Sequence, residues 1–164
     1  MKNMRRAESE QTEVKQVCSV RVGDALYGVP IGHILEIVGK ARPQQVPLAP
    51  EFIAGLVHYR GDVLTAVSLR RVLGLPGATA AQDLLVLEST DGPFGLTVDA
   101  VREVLTVSSA DFEPSPSTVR NRKGLFAGAY KLGKGLMVML EPDRLQPMRL
   151  AALRAGEQET ACAR

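Results

Sequence analysis

The residues best suited to acid–base, nucleophilic or metal chemistry are few in this sequence of 164 residues. His33 and His58 are its only histidines, and Cys18 and Cys162 are its only cysteines. A structural zinc site needs four ligands, and a nucleophilic enzyme needs a base beside its nucleophile. None of these four residues lies in a zinc-binding or nucleophile-elbow motif. The sequence therefore predicts no catalytic centre, no metal site and no cofactor.

Two charged residues stand out by their context. Glu36 interrupts an apolar stretch, and Arg60 lies between an apolar run and Gly61-Asp62, which we interpret as a hairpin turn. An unpaired charge is costly to bury, so a charge in such a run lies at an edge or is paired. Two interpretations stay open. Either both side chains point to water, or they pair, hold a groove wall and present Arg60 to an acidic partner.

Composition limits the class of protein. Hydrophobic residues make up 45% of the chain and charged residues 23%, and the net charge is +2. No apolar run is long enough to span a membrane, and the charged N-terminus is not a secretory signal. We therefore expect a cytoplasmic protein, without membrane insertion, in a reducing compartment. Cys18, in an alternating strand, is expected to be a small buried hydrophobe.

A basic cluster keeps one alternative open, a small β-barrel that binds nucleic acid. The isoelectric point is about 8.7, and the cluster comprises Arg120, Arg122 and Lys123. Phosphate tracking needs more positive charges along one face, and the scarcity of aromatic residues, seven in the whole sequence, counts against base stacking. We therefore expect no nucleic-acid partner.

The elements that position these residues are predicted to be mainly β-strands. Alternating or continuous apolar runs are bounded by Gly, Pro and Asp turns along most of the chain. A short helix is predicted after Glu141-Pro142-Asp143, and Pro147 is expected to interrupt it. The predicted organisation is a polar tail at 1–16, one domain at 17–155 and a second polar tail at 156–164.

An internal repeat is the most informative pattern. Three blocks recur in the same order, at offsets of 67, 73 and 72 residues. The matched blocks are 27–37 with 94–104, 53–57 with 126–130, and 61–67 with 133–139. The chain therefore contains two copies of one β-rich unit, at about 17–76 and 83–146. Neither copy is large enough for much core alone, so we expect them to pack together and leave a groove.

These segments resemble the CheW family of bacterial chemotaxis coupling proteins. Residues 47–61 are similar to the family pattern P-x-x-P-x-F/Y-I/V-x-G-V/L-I/V-N-L/Y-R-G, and residues 94–104 to F-G-L-x-V-D-x-V-x-E-V. The resemblance covers about residues 17–146. It implies two intertwined, five-stranded SH3-like barrels without catalytic activity. It also implies two partners, the cytoplasmic tip of methyl-accepting chemoreceptors and the regulatory domain of a CheA-type histidine kinase.

Carried over by position, the resemblance also implies the contact residues. It places Ile31 and Ile34 near the kinase-facing surface. It places five residues at or near the receptor side, namely Glu36, Gly55, Arg60, Gly95 and Val104. His58 stands where the family usually has Asn, and Ser68 where it usually has Asp. These departures favour a divergent chemosensory or motility system, and they leave open a protein that binds only one of the two partners.

Overall fold

The computed structural model describes residues 12–77, 82–114 and 124–162, with side chains as far as residue 156. Strands dominate the described chain, as predicted. The strands are β1 (Val14–Val22), β2 (Ala25–Pro30), β3 (Ile34–Ala41), β4 (Ile53–Tyr59), β5 (Asp62–Ser68), β6 (Gln82–Leu87), β7 (Phe94–Val98), β8 (Ala100–Ser108), β9 (Phe112–Pro114), β10 (Phe126–Leu132) and β11 (Gly135–Leu140). The helices are α1 (Leu69–Val72), α2 (Pro142–Leu145) and α3 (Pro147–Cys162), with short 3₁₀ helices at Ile31–His33 and Ser109–Asp111.

The strands form two intertwined sheets. One sheet has the order β8-β1-β2-β11-β10-β9 and the other the order β3-β6-β7-β5-β4. Each sheet therefore combines the first two strands of one repeat with later strands of the other. In each sheet the two repeats meet at one antiparallel joint, β1–β8 or β3–β6, and at one parallel joint. The parallel joints place Gly28 opposite Met139 in one sheet and Gly95 opposite Ala66 in the other. The two sheets are the predicted SH3-like barrels, here called the six-stranded and the five-stranded barrel.

The sixth strand corrects the expectation of five strands in each barrel. Residues Phe112–Pro114 pair with β10 and form β9. At the matching place in the five-stranded barrel, only a single bridge joins Gln44 to Leu56 among the described residues. The two repeats therefore close their barrels in different ways.

Three clusters of buried side chains follow from the alternation of side chains along each strand. In β6, Leu85 and Leu87 enter a central cluster shared by both barrels, whereas Leu84 and Val86 enter the interior of the five-stranded barrel. Cys18 is 1% exposed and belongs to the central cluster, which confirms its predicted burial. Because the central cluster takes side chains from both sheets, it holds the barrels together as one body.

The ends of the chain depart from the predicted polar tails. Strand β1 begins at Val14, within the predicted N-terminal tail, because Val14 pairs with Ser108 of β8. Helix α3 continues through 156–162, where a second tail was expected, and it is longer than the short helix predicted. The polar composition of both ends explains the error, because composition alone does not separate a polar strand or helix from a tail. Pro147 begins α3 and separates it from α2, as expected.

The turn between β4 and β5 also departs from the prediction. Tyr59 pairs with Asp62, so the turn residues are Arg60 and Gly61, and not Gly61-Asp62. The two repeats consequently align differently in this region. Val57 pairs with Leu64 and Tyr130 pairs with Met137, which gives an offset of 73 residues where the sequence comparison gave 72. Matching the turn glycines by sequence shifted the alignment, because they hold different turn positions.

Candidate functional site

Edge strands β3 and β8 carry exposed apolar side chains, which is unusual for strands of a packed barrel. Ile37 of β3 is 44% exposed and Val104 of β8 is 50% exposed. The carboxylate of Asp83 joins the two strands, accepting the backbone N–H of Lys40 at 3.3 Å and that of Val101 at 2.8 Å. Apolar patches on exposed sheet edges are typical of protein-interaction surfaces.

Glu36 and Arg60 are both exposed, and no ion pair joins them in the part of the chain that the structure describes. The predicted pair is therefore wrong, and the alternative, in which both side chains point to water, holds. The guanidinium of Arg60 lies 5.1 Å from the ring centroid of Tyr59, within the range of a cation–π contact. Arg60 has a φ of +50°, a left-handed conformation that costs an L-residue roughly 1–2 kcal/mol.

The predicted site glycines, Gly55 and Gly95, are buried and offer no side chain to a partner. Gly55 has a φ of +146°, and a Cβ atom there would overlap the carbonyl oxygen of Gln44. A Cβ atom on Gly95 would lie 2.9 Å from Leu84 and 3.2 Å from Ala66. Both glycines thus allow close packing of the five-stranded barrel. They can affect a binding surface only through the shape of that barrel.

Ile31 and Ile34 differ in exposure. Ile31 lies in the 3₁₀ helix after β2 and is 38% exposed. Ile34 begins β3, is partly buried and packs against the central cluster. Of the two residues, Ile31 therefore offers the more accessible apolar contact.

An ion pair that the sequence analysis did not single out fixes the two barrels relative to each other. Asp99 accepts hydrogen bonds from Arg70 at 3.2 and 2.8 Å and from the backbone N–H of Gly23 at 2.8 Å. The Asp99 side chain is 4% exposed. Burial alone would raise the pKa of this carboxyl, but the bonds from Arg70 and Gly23 outweigh burial and lower the pKa. The sequence did contain a signal for Asp99. The repeat places Gly32 at the matching position of the first copy, so the aspartate is specific to the second copy.

The departures from the family pattern have local structural consequences. Ser68 caps α1, because its hydroxyl accepts the backbone N–H of Arg71 at 3.4 Å. Serine and aspartate serve equally as helix N-caps, so Ser68 keeps the function that an aspartate would have there. His58 is exposed on β4.

No group of three or more His, Cys, Asp or Glu side chains in 12–77, 82–114 and 124–156 is placed to hold a metal ion. Burial raises the pKa of the Cys18 thiol, which disfavours the reactive thiolate. The basic cluster at Arg120, Arg122 and Lys123 lies outside the described residues. Within the described chain, no helix is both long and apolar enough to cross a membrane.

Comparison with known proteins places this fold and sequence in a family. The chemotaxis protein CheW of Helicobacter pylori is 29% identical over 140 residues, covering 84% of this chain and 85% of that protein. The chemotaxis protein CheW of Rhizobium meliloti is 32% identical over 136 residues, covering 81% of this chain and 88% of that protein. The scaffolding protein TtCheW from Thermoanaerobacter tengcongensis has a similar fold, with a TM-score of 0.72 and 24% identity over 79% of this chain and 90% of that structure. The model of the CheW-like domain matches residues 16–148, and the chain therefore belongs to the CheW-like family.

Proposed function

We propose that this protein is a scaffold without catalytic activity, which couples chemoreceptors to a CheA-type histidine kinase in a bacterial chemosensory pathway. The observation that supports this proposal best is the exposed apolar surface on edge strands β3 and β8, which flank the shared core. A protein that works through surfaces needs neither metal ligands nor nucleophiles. Membership of the CheW-like family supports the same function.

The receptor surface in this proposal has direct and indirect contributors. Glu36, Arg60 and Val104 are exposed and contact the cytoplasmic tip of the receptor themselves. Gly55 and Gly95 are buried, and they contribute by letting the strands of the five-stranded barrel approach each other. A substitution at either glycine is therefore expected to change receptor binding through the shape of the barrel.

The kinase surface lies around Ile31 and Ile34 and binds the regulatory domain of the kinase. Ile31 enters this interface directly, whereas Ile34 packs against the central cluster and supports the start of β3. Because Ile31 lies in the connection between β2 and β3 and Val104 lies on edge strand β8, the two surfaces use different elements, and one molecule can hold both partners together. A change in the receptor then shifts the complex between two geometric arrangements. The kinase follows this shift because its affinity differs between the two arrangements.

Binding measurements with purified partners test the two surfaces separately. We expect the protein to bind both the kinase regulatory domain and a receptor tip fragment from the same genome. Ile31→Glu places a charge in the kinase contact and is expected to weaken kinase binding about tenfold or more, which is about 1.4 kcal/mol. Val104→Glu is expected to do the same for the receptor fragment. Leu136→Glu is the matched control, because Leu136 is 61% exposed on β11 and lies outside both surfaces.

The outcomes separate the proposal from its alternatives. Binding to one partner only would replace the coupling function by that of a single-partner adaptor. Binding to neither would contradict the proposal. Equal effects of the Val104 and Leu136 variants on receptor binding would show that β8 is not part of the receptor surface.

A further inference from the structure

The two barrels of this protein are filled unequally. The interior of the six-stranded barrel contains Tyr130, Met137 and Met139, with Phe112 packed against them. The interior of the five-stranded barrel contains smaller side chains. Its members are Leu64, Ala66, Leu84 and Val86, with Ala41, Ala54, Val57 and Tyr59 packed against them.

The strand registers show which positions correspond. Gly128 faces the carbonyl oxygen of Glu113, just as Gly55 faces that of Gln44. With those positions aligned, Val57 takes the place of Tyr130. By the same alignment, the ring of Phe112 on β9 is replaced by a proline, Pro43. Met139 and Ala66 also correspond, because each lies opposite the equivalent glycine of the other repeat.

An open pocket occupies the space that these smaller residues leave. It has a volume of about 570 Å³ and lies between β3 and β4. Core side chains of the five-stranded barrel form its wall, including Val57, Leu84 and Val86. A volume of this size, lined mainly by apolar groups with a few polar ones, is typical of a binding pocket.

The six-stranded barrel shows what fills the equivalent place. There β9 pairs with β10, and the ring of Phe112 lies 4.9 Å from the ring of Tyr130. Glu113 of β9 forms a 2.5 Å ion pair with Lys131 of β10. The occupant is thus an extended segment with an aromatic side chain between two acidic residues, Asp111 and Glu113.

In the five-stranded barrel Gln44 takes the place of Glu113, and the strand edge is open only beyond Leu56. Within the described residues, the outer edge of β4 is paired only at Leu56. The backbone N–H and C=O of Leu56 both bond to Gln44 across that edge. Because backbone groups alternate along a strand, those of His58 point to the same side, where a further strand can pair.

The charge of the pocket rim matches an acidic occupant. Arg42 lines the pocket, is exposed and forms no ion pair with the described residues. None of the described side chains that line the pocket is acidic. We propose that this pocket receives an aromatic side chain from an extended, acidic segment of a partner protein, and that this segment pairs with β4 beyond Leu56, antiparallel to it as β9 is to β10.

A short peptide with the sequence of residues 110–114, Ala-Asp-Phe-Glu-Pro, with blocked ends, is the probe for this proposal. Titrated at millimolar concentration into the full chain, it is expected to shift backbone amide resonances of Val57, His58 and Leu84 in a saturable manner. The peptide with alanine in place of phenylalanine is expected to lose this binding at least tenfold. Absence of saturable shifts at these residues would overturn the proposal.

Protein variants test the pocket independently of the peptide. Val57→Tyr places in the pocket the ring that Tyr130 supplies in the other barrel, and it is expected to weaken peptide binding at least tenfold. Val14→Tyr adds the same ring at an exposed position outside the pocket and is the matched control. Equal binding by these two variants would contradict the proposal. If Val57→Tyr does not fold, the comparison of the two peptides on the unmodified protein decides. Neither kinase nor receptor takes part, so this result is independent of the proposed coupling function.

Discussion

Replacing Asp99 with asparagine removes the charge from the ion pair that connects the two barrels. The side chain accepts two hydrogen bonds from Arg70 and one from the backbone of Gly23, and it is 4% exposed. Hydrogen bonds to charged groups contribute about 1.5–3 kcal/mol each, and breaking a buried pair costs about 3–5 kcal/mol. Because Arg70 is 15% exposed and retains its bond to Pro76, we expect a smaller loss, about 2–3 kcal/mol of the free energy of unfolding.

Urea unfolding followed by circular dichroism measures this loss. Asp91→Asn is the matched control, since the Arg149–Asp91 pair has the same 2.8 Å separation but its side chains are 43% and 42% exposed. Exposed pairs contribute about 0–1 kcal/mol, so the control is expected to remain within about 1 kcal/mol of the unmodified protein. Equal losses for the two variants would refute the assignment of Asp99 as the link between the barrels.

The pH dependence gives a second test of the same residue. The pKa of Asp99 in the folded protein is lowered from its ordinary value of 3.8. A carboxyl with a lowered pKa contributes its full stability above the unfolded-state value, and the contribution is lost as the pH falls through the folded-state value. The difference between the unmodified protein and Asp99→Asn is therefore expected to be constant near neutral pH and to shrink below pH 3.8. A difference independent of pH across that range would contradict the ionic nature of the contact.

Three further substitutions test local features of the fold. Arg60→Gly is expected to raise the free energy of unfolding by about 1 kcal/mol, because it relieves the left-handed backbone, while receptor binding weakens; a loss of stability would contradict this account of the turn. Gly55→Ala is expected to destabilise the protein by more than 2 kcal/mol, about the scale of core overpacking, whereas Gly133→Ala, in open space, serves as the control; similar thermal unfolding of both would refute the close-approach argument. Ser68→Ala is expected to cost about 1 kcal/mol by removing the α1 cap, and Ser68→Asp to restore it; an aspartate variant no more stable than the alanine variant would contradict the capping role.

The intertwined fold was accessible from the sequence because both repeats keep the same order of glycines and apolar residues. Gly28 and Gly95 hold equivalent positions in the two barrels, at the offset of 67 residues that the sequence comparison gave. The exchange of strands between repeats is a long-range property, and only the family resemblance predicted it. The register of β5 was missed because turn glycines were matched, whereas the cross-strand partners of Leu64 fix the true alignment.

The site was only partly predictable, for a related reason. Glu36 and Arg60 were singled out by their sequence context, but their exposure without pairing depends on tertiary placement. Conversely, Asp99 and Arg70 meet because helix α1 follows β5 beside the end of β7, a contact between residues 29 positions apart. The pocket of the five-stranded barrel needs the comparison of two packed interiors, which no local pattern supplies.

In the proposed function, one molecule of this protein holds a receptor and a kinase together. The most direct measurement is analytical ultracentrifugation of the full chain mixed with both a CheA-type regulatory domain and a receptor tip fragment. We expect a complex that contains all three components. Ile31→Glu is expected to lose only the kinase domain from this complex, and Val104→Glu only the receptor fragment. Mutually exclusive binding of the two partners, or no binding of either, would contradict the claim.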